Sequence, residues 1–319
     1  MPPDVSTEVV DVRAVTAREP SIPHLYVHFP FCARKCPYCD FNSHAGRDEE
    51  RNAYVDALIE EARRWRGRTR LSTIFVGGGT PTHVSASMLD RYLSGVLEAL
   101  DGSTAEEITI EANPGSLDRE KVRVLRRLGV HRVSLGVQSF DDRHLAALGR
   151  VHVASDAVRG VELLREGGME RFSVDLMLAV PDQTLGEQER DLARAIDLQP
   201  EHVSAYVLTF EEGTAFTKLM REGRMDAPDP ERDVAHLHLA CERLADAGYA
   251  RYEISNFARS DAACRHNLGY WNNRARLGIG AGAHSHVGTL RWKNVDDPEM
   301  YAARIAAGRD PSEWHGTIA

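Results

Sequence analysis

Three cysteines stand within eight residues, Cys32, Cys36 and Cys39, in the run FPFCARKCPYCDF. Thiolates are soft ligands that suit iron–sulfur clusters or zinc. At spacings of four and three, a single loop can wrap three corners of a cubane cluster. One iron is then left open to a bidentate ligand. A zinc site is the competing reading, with Cys36 and Cys39 as a knuckle and Cys264 and His266 as the second pair. Structural zinc takes four closed ligands, and that scheme leaves Cys32 unused. The remaining cysteines are Cys241 and Cys264, and an odd total of five makes a poor disulfide framework.

Other reactive or permissive residues close short apolar runs. Gly77-Gly78-Gly79-Thr80-Pro81 follows one run, and its glycines let backbone approach a ligand. Glu111 closes the next in EANPG, where a carboxylate can accept hydrogen bonds from a ribose or an amino group. Gln138 closes the next in GVQSF. Arg150 follows in GRVH, and a guanidinium suits a carboxylate. Asp175 lies inside an apolar run, SVDLM, and needs a partner there.

The elements that position these residues follow from periodicity. The β-rich runs are 25–31, 73–77, 107–112, 132–137, 172–180 and 202–210. Helical patterns fill 50–65, 118–128, 156–165 and 187–196. Strands alternating with helices imply a parallel α/β sheet, and six units fit an open, partial (β/α)6 barrel. Sites in such sheets form at the strand ends, where the residues above fall. We expect a polar tail over 1–21, the partial barrel over 22–222, and a smaller α+β unit over 223–319. A proline-bearing linker at 221–230 and a helix over 231–247 lead into that unit. No clear closing element precedes Ala319, so the unit is open to being incomplete.

The chain has 319 residues, 42% of them hydrophobic, and a formal charge of -9. The whole-chain basic footprint of a nucleic-acid binder is absent. The basic stretch 63–70 reads as a solvated helix end and loop. No run approaches the ~20 apolar residues of a membrane span, and the N-terminus lacks a secretory apolar core. These features point to the cytoplasm.

The cysteine spacing after the first strand resembles the signature of the radical-SAM family. The longer run YVHFPFCARKCPYCDFNSH resembles the group related to oxygen-independent coproporphyrinogen III oxidase, and the likeness spans about residues 22 to 300. It implies a [4Fe-4S] cluster on Cys32, Cys36 and Cys39. It also implies S-adenosylmethionine (SAM) held by Tyr26, Tyr38, Gly78, Gly79, Thr80, Glu111, Gln138, Arg150 and Asp175, with Tyr38 on the adenine. Electron transfer into the sulfonium would then yield a 5′-deoxyadenosyl radical.

Within the group, the oxidase pattern has a further cysteine two positions after the third. Here that residue is Phe41, which argues for the haem-chaperone branch. HNLGYW, residues 266–271, resembles that branch's HNxxYW motif and makes His266 a candidate haem ligand. A buried structural histidine is the equal alternative. The glycine-rich run 278–285 either approaches a ligand or serves packing. The expected function is haem binding and transfer, with haem or porphyrin and apo-haemoproteins as partners. A homodimer and peripheral membrane contact are compatible with it. The alternative is an oxidase-like enzyme that decarboxylates a porphyrin precursor.

Overall fold

The computed structural model describes residues 22–317, so the expected tail over 1–21 lies outside the described residues. The chain opens with β1 (Ile22–Phe29), then two short strands, β2 (Phe31–Cys32) and β3 (His44–Ala45), that pair with each other across the cysteine loop. Five strand–helix alternations follow. They run α1 (Arg51–Arg64), β4 (Thr69–Gly78), α2 (Ala86–Leu100), β5 (Glu107–Ala112), α3 (Arg119–Arg127), β6 (Arg132–Gln138), α4 (Asp142–Ala147), α5 (Ala154–Glu166), β7 (Phe172–Leu178), α6 (Leu185–Asp197) and β8 (His202–Val207). Helices α7 (Ala215–Arg221) and α8 (Pro230–Asp246) come next, then β9 (Ala250–Arg251), β10 (Asn256–Ala258) and α9 (Arg265–Trp271). The remainder is β11 (Arg276–Ile279), β12 (His284–Val287), β13 (Leu290–Asn294), α10 (Pro298–Ala306) and β14 (Ser312–Thr317).

The six expected parallel strands are adjacent in the order β1-β4-β5-β6-β7-β8. Helices begin where side chains accept the free amides of the first turn. Ser85 does this for α2, Asp118 for α3, and Thr184 with Glu187 forms a capping box on α6.

A seventh parallel strand, β11, lies on the free side of β1, pairing Leu25 with Leu277 and Val27 with Ile279. Its run, RLGI, is too short and glycine-bearing to announce itself as a strand. Strands β12, β13 and β14 extend that edge antiparallel, while β10 and β9 extend the other edge beyond β8. Segment 223–319 therefore contributes to both edges of one sheet.

Sheet residues alternate strictly. Ile108, Ile110, Val133, Leu135, Val174, Leu176, Val203 and Ala205 are buried in the apolar core beneath the helices. Their neighbours Thr109, Glu111, Arg132, Ser134, Ser173, Asp175 and Ser204 line an inner cavity. Parallel strands covered on both faces are normally apolar throughout. Here the inner face is polar, so the sheet encloses space for a polar occupant.

Glu61 of α1 ties the later elements to the barrel. It accepts from Gly280 N (2.8 Å), the Tyr301 hydroxyl (2.6 Å) and Asn294 Nδ2 (2.9 Å). Burial pushes its carboxyl up to about 7, against the pull of those donors. An acid with a raised pKa takes up a proton on folding. Its contribution to stability is therefore complete below pH 4.5 and declines as pH rises toward 7. The Glu61→Gln variant should lose this dependence. Between pH 4.5 and 8, wild type should lose on the order of 3 kcal/mol relative to the variant. Denaturant unfolding at both pH values checks this, and parallel pH slopes would refute it.

Candidate functional site

The inner cavity has a volume of ≈ 510 Å³ and runs from the cysteine loop, past the C-terminal ends of the parallel strands, to Arg132 and His202. Its size falls within the usual range for small-molecule sites. Cys32, Cys36 and Cys39 line it together with Tyr38, Gly78, Gly79, Thr80, Glu111, Gln138, Arg150 and Asp175. Four consecutive strands and three loops thus bring eleven of the thirteen expected site residues to one space. Tyr26 and His266 are not among the lining residues.

All three cysteines are free thiols, and the Cys39 amide donates to Cys36 O at 3.1 Å, a tight turn. Burial pushes the Cys32 and Cys39 thiols up. Cys32 Sγ lies 3.7 Å from His44 O, and Cys39 Sγ lies 3.8 Å from the Ser43 hydroxyl. Arg150 points its Nη1 at Cys36 Sγ (3.6 Å), donates its Nη2 to Gly136 O (3.0 Å), and bonds Asn113 Oδ1.

The glycine loop is built around Glu111. A side chain at Gly77 would meet the Glu111 carboxyl at 2.9 Å, and one at Gly79 would strike Phe31 O and Pro30 O at 2.8 Å. Gly78 has φ +119 and donates its amide to Glu111 Oε2 at 3.1 Å. Burial, and then the neighbouring Asp175, push the Glu111 carboxyl up to about 8 despite that bond. A buried carboxyl with one donor is ready to receive a cation. Asp175 is served differently, taking hydrogen bonds from the Ser134 hydroxyl (3.0 and 2.9 Å) and the Ser173 hydroxyl (3.0 Å). Gln138 holds φ +67, a left-handed conformation that turns the chain at the end of β6. Tyr38 lines the cavity and rests on Phe216, with ring centroids 6.1 Å apart.

Tyr26 stacks on Phe75 (6.3 Å) and bonds His28 Nδ1 at 3.0 Å. His266 is 2% exposed and bonds Thr73 Oγ1 at 2.8 Å. Burial pushes its imidazole down to about 3, so it is neutral. Cys264, its partner in the zinc scheme, donates instead toward Glu107 Oε1 at 3.5 Å.

Sequence reasoning missed Asn113, which donates to Thr80 Oγ1 at 2.7 Å and joins the glycine loop to Arg150. Its place in EANP, one residue past the strand, was the available signal. It also missed Asn42. The Asn42 side-chain Nδ2 donates to Ala281 O (3.1 Å) and Asp296 O (2.8 Å), while the Asn42 backbone carbonyl accepts from His28 Nε2 (2.8 Å). A side chain at Gly282 would meet Asn42 Nδ2 at 2.4 Å. The glycine-rich run 278–285 therefore packs behind the cysteine loop and stays outside the cavity lining.

Comparison with known proteins agrees with this geometry. The profile of the radical SAM superfamily matches residues 26–195. The chain is similar to the haem chaperone HemW of Bacillus subtilis, 39% identical over 285 residues, which is 88% of this chain and 75% of that protein. HemW of Escherichia coli is 41% identical over 268 residues, covering 82% and 70%. The chain belongs to the radical-SAM superfamily and, within it, to the HemW group. Its fold matches a solved coproporphyrinogen III oxidase (HemN) of Escherichia coli, with TM-score 0.82 and 24% identity over 96% of this chain and 74% of that one. The superfamily is defined by a [4Fe-4S] cluster and SAM. The residues found here fit both groups: three free thiols on one loop, a cavity of suitable size, and a cation-seeking carboxyl beside glycine backbone.

Asn42→Ala should loosen the cysteine loop without touching the cavity. Alkylation of Cys32, buried in the native protein, should speed up at least several-fold by peptide mass mapping. An unchanged rate would show that Asn42 does not brace the loop.

Proposed function

We propose that this chain is a haem chaperone that binds haem and passes it to apo-haemoproteins in the cytoplasm. Likeness to HemW proteins along most of the chain carries this reading. Phe41, exposed beside the cysteine loop where the oxidase pattern has a cysteine, supports it.

In this reading Cys32, Cys36 and Cys39 ligate the cluster. SAM lies along Gly78, Gly79, Thr80, Glu111, Gln138, Arg150 and Asp175, with Tyr38 against the adenine and Tyr26 behind the loop. When bound, these groups supply one-electron cleavage of a C–S bond. The protein's own residues do the rest. Gly78 and Gly79 offer backbone at close range, and Glu111 exchanges its proton for a cation. Arg150 holds Cys36 and the end of β6 in register. Asp175, fixed by two serines, presents a rigid acceptor to hydroxyl groups.

Anaerobic reconstitution should load four irons per chain, and Cys32→Ser, Cys36→Ser or Cys39→Ser should each abolish it. Stoichiometric zinc would favour the competing reading. Haemin titration should give a saturable Soret change at micromolar protein, and coproporphyrinogen should not turn over. Absence of haem binding, or porphyrin product from coproporphyrinogen, would overturn the chaperone reading.

Glu111 gives a second test. Its carboxyl is protonated below about pH 8, so binding the SAM cation must release that proton. By linkage, SAM affinity should rise up to about tenfold per pH unit from pH 6 and level off above 8. Glu111→Gln should bind more weakly with no such slope. Equilibrium binding between pH 6 and 9 checks this, and equal slopes would remove Glu111 from the site.

A further inference from the structure

The cavity runs down the inner wall of the barrel to His202, the first residue of β8. His202 pairs in register with Ser173 of β7, and both line the cavity. Asp175 lies two residues further along β7, on the same face. Ser173 Oγ is 2.8 Å from His202 Nδ1 and 3.0 Å from Asp175 Oδ1. His202 Nε2 is 2.8 Å from the hydroxyl of Tyr252, which follows β9. Two further groups reach that hydroxyl from the start of α9. They are the Cys264 backbone amide at 3.3 Å and Asn267 Nδ2 at 3.4 Å.

The proton positions along this chain are fixed from its lower end. A backbone N–H and an amide NH₂ can only donate, and together they use both lone pairs of the Tyr252 oxygen. Burial pushes the Tyr252 phenol up, so it keeps its own proton. That proton goes to the third partner, His202 Nε2. Burial pushes the His202 imidazole down to about 3, so the ring is neutral and carries one N–H. With Nε2 accepting, that N–H sits on Nδ1 and donates to Ser173 Oγ. The Ser173 proton then goes to Asp175 Oδ1, nearer than the Ser204 hydroxyl at 3.5 Å. The opposite tautomer would crowd three donors onto two lone pairs and leave the Tyr252 proton without an acceptor, a costly state for a buried group. Its bare Nδ1 would also draw the Ser173 proton away from Asp175.

We infer that Tyr252 and His202 are positioning residues that commit the Ser173 proton to Asp175, and so hold that carboxyl as an acceptor for the ribose hydroxyls of SAM. This inference deepens the SAM reading of Asp175 above and rests on it. It also gives Asn267 of the HNLGYW helix a task, as one of the two donors that turn the Tyr252 proton toward His202.

The tautomer can be read without SAM. In protein with ¹⁵N-labelled histidine, the signals missing from His202→Asn identify His202. They should show a protonated Nδ1 and a bare Nε2 at pH 7, and a protonated Nε2 would overturn the inference. Equilibrium binding to the reconstituted protein gives the second readout, with SAM compared against an analogue lacking both ribose hydroxyls. Wild type should prefer SAM. Tyr252→Phe should cut that preference about tenfold while keeping its affinity for the analogue, which a general loss of structure would not do. Thermal unfolding reports whether the variant is folded. Should Tyr252→Phe not fold, Asn267→Asp takes its place. Its carboxylate accepts the Tyr252 proton, so His202 should switch to the Nε2–H tautomer and the preference for SAM should fall. If wild type prefers SAM and the variant prefers it equally, the inference fails and the SAM reading stands. If wild type binds the analogue as tightly as SAM, the reading of Asp175 itself fails.

Discussion

Glu111 sits at the C-terminal end of β5 with its carboxyl deep in the cavity wall and only the Gly78 amide to serve it. An isolated charge in that position would cost several kcal/mol, and burial accordingly pushes the carboxyl up to about 8. Neighbouring positions follow from this. Residue 79 must be glycine, because a side chain there strikes the backbone of Pro30 and Phe31, and a side chain at 77 would displace the Glu111 carboxyl. The loop so confined faces Asn113, which in turn engages Arg150 and through it Cys36. Asp175 shows the other solution to the same problem, a carboxylate given hydroxyl donors by adjacent strands. Burial still pushes the Asp175 carboxyl up, so its hydroxyl donors offset only part of the penalty that Glu111 carries with one.

Much of this was legible in the residues themselves. Each strand run ended in unusual chemistry, and parallel topology brings strand ends together, so Cys32, Gly78, Glu111, Gln138 and Arg150 converge. The alternation of Thr109, Glu111, Ser134, Ser173 and Asp175 with aliphatic neighbours was equally open to reading. It marks a polar inner wall, and it supplies the serines that Asp175 needed as partners. Strand β11 was harder, because four residues with a glycine carry little periodic signal and the strand is stabilised by pairing with β1. The braces at Asn42 and Glu61 were not legible, since each joins segments more than 200 residues apart. Tyr26 and His266 lie on interior positions, yet neighbouring rings rather than open space surround them. Sequence spacing cannot distinguish those two situations.

The later segments of the chain hold the cysteine loop in place. Glycines at 280 and 282 let backbone reach Tyr54, His28 and Asn42, and those residues lead directly to the glycine loop and the cysteines. Among the described residues no helix is long and apolar enough to cross a membrane.

The strict in–out alternation of the strands separates two kinds of selection. Aliphatic residues that decide whether the protein folds face the helices, and polar residues that decide what it holds face the cavity. Substitutions on the inner wall spare the packed core, so a lineage can rewrite its choice of ligand at little risk to folding. A barrel of this kind is a scaffold whose chemistry can drift while its architecture stays constant.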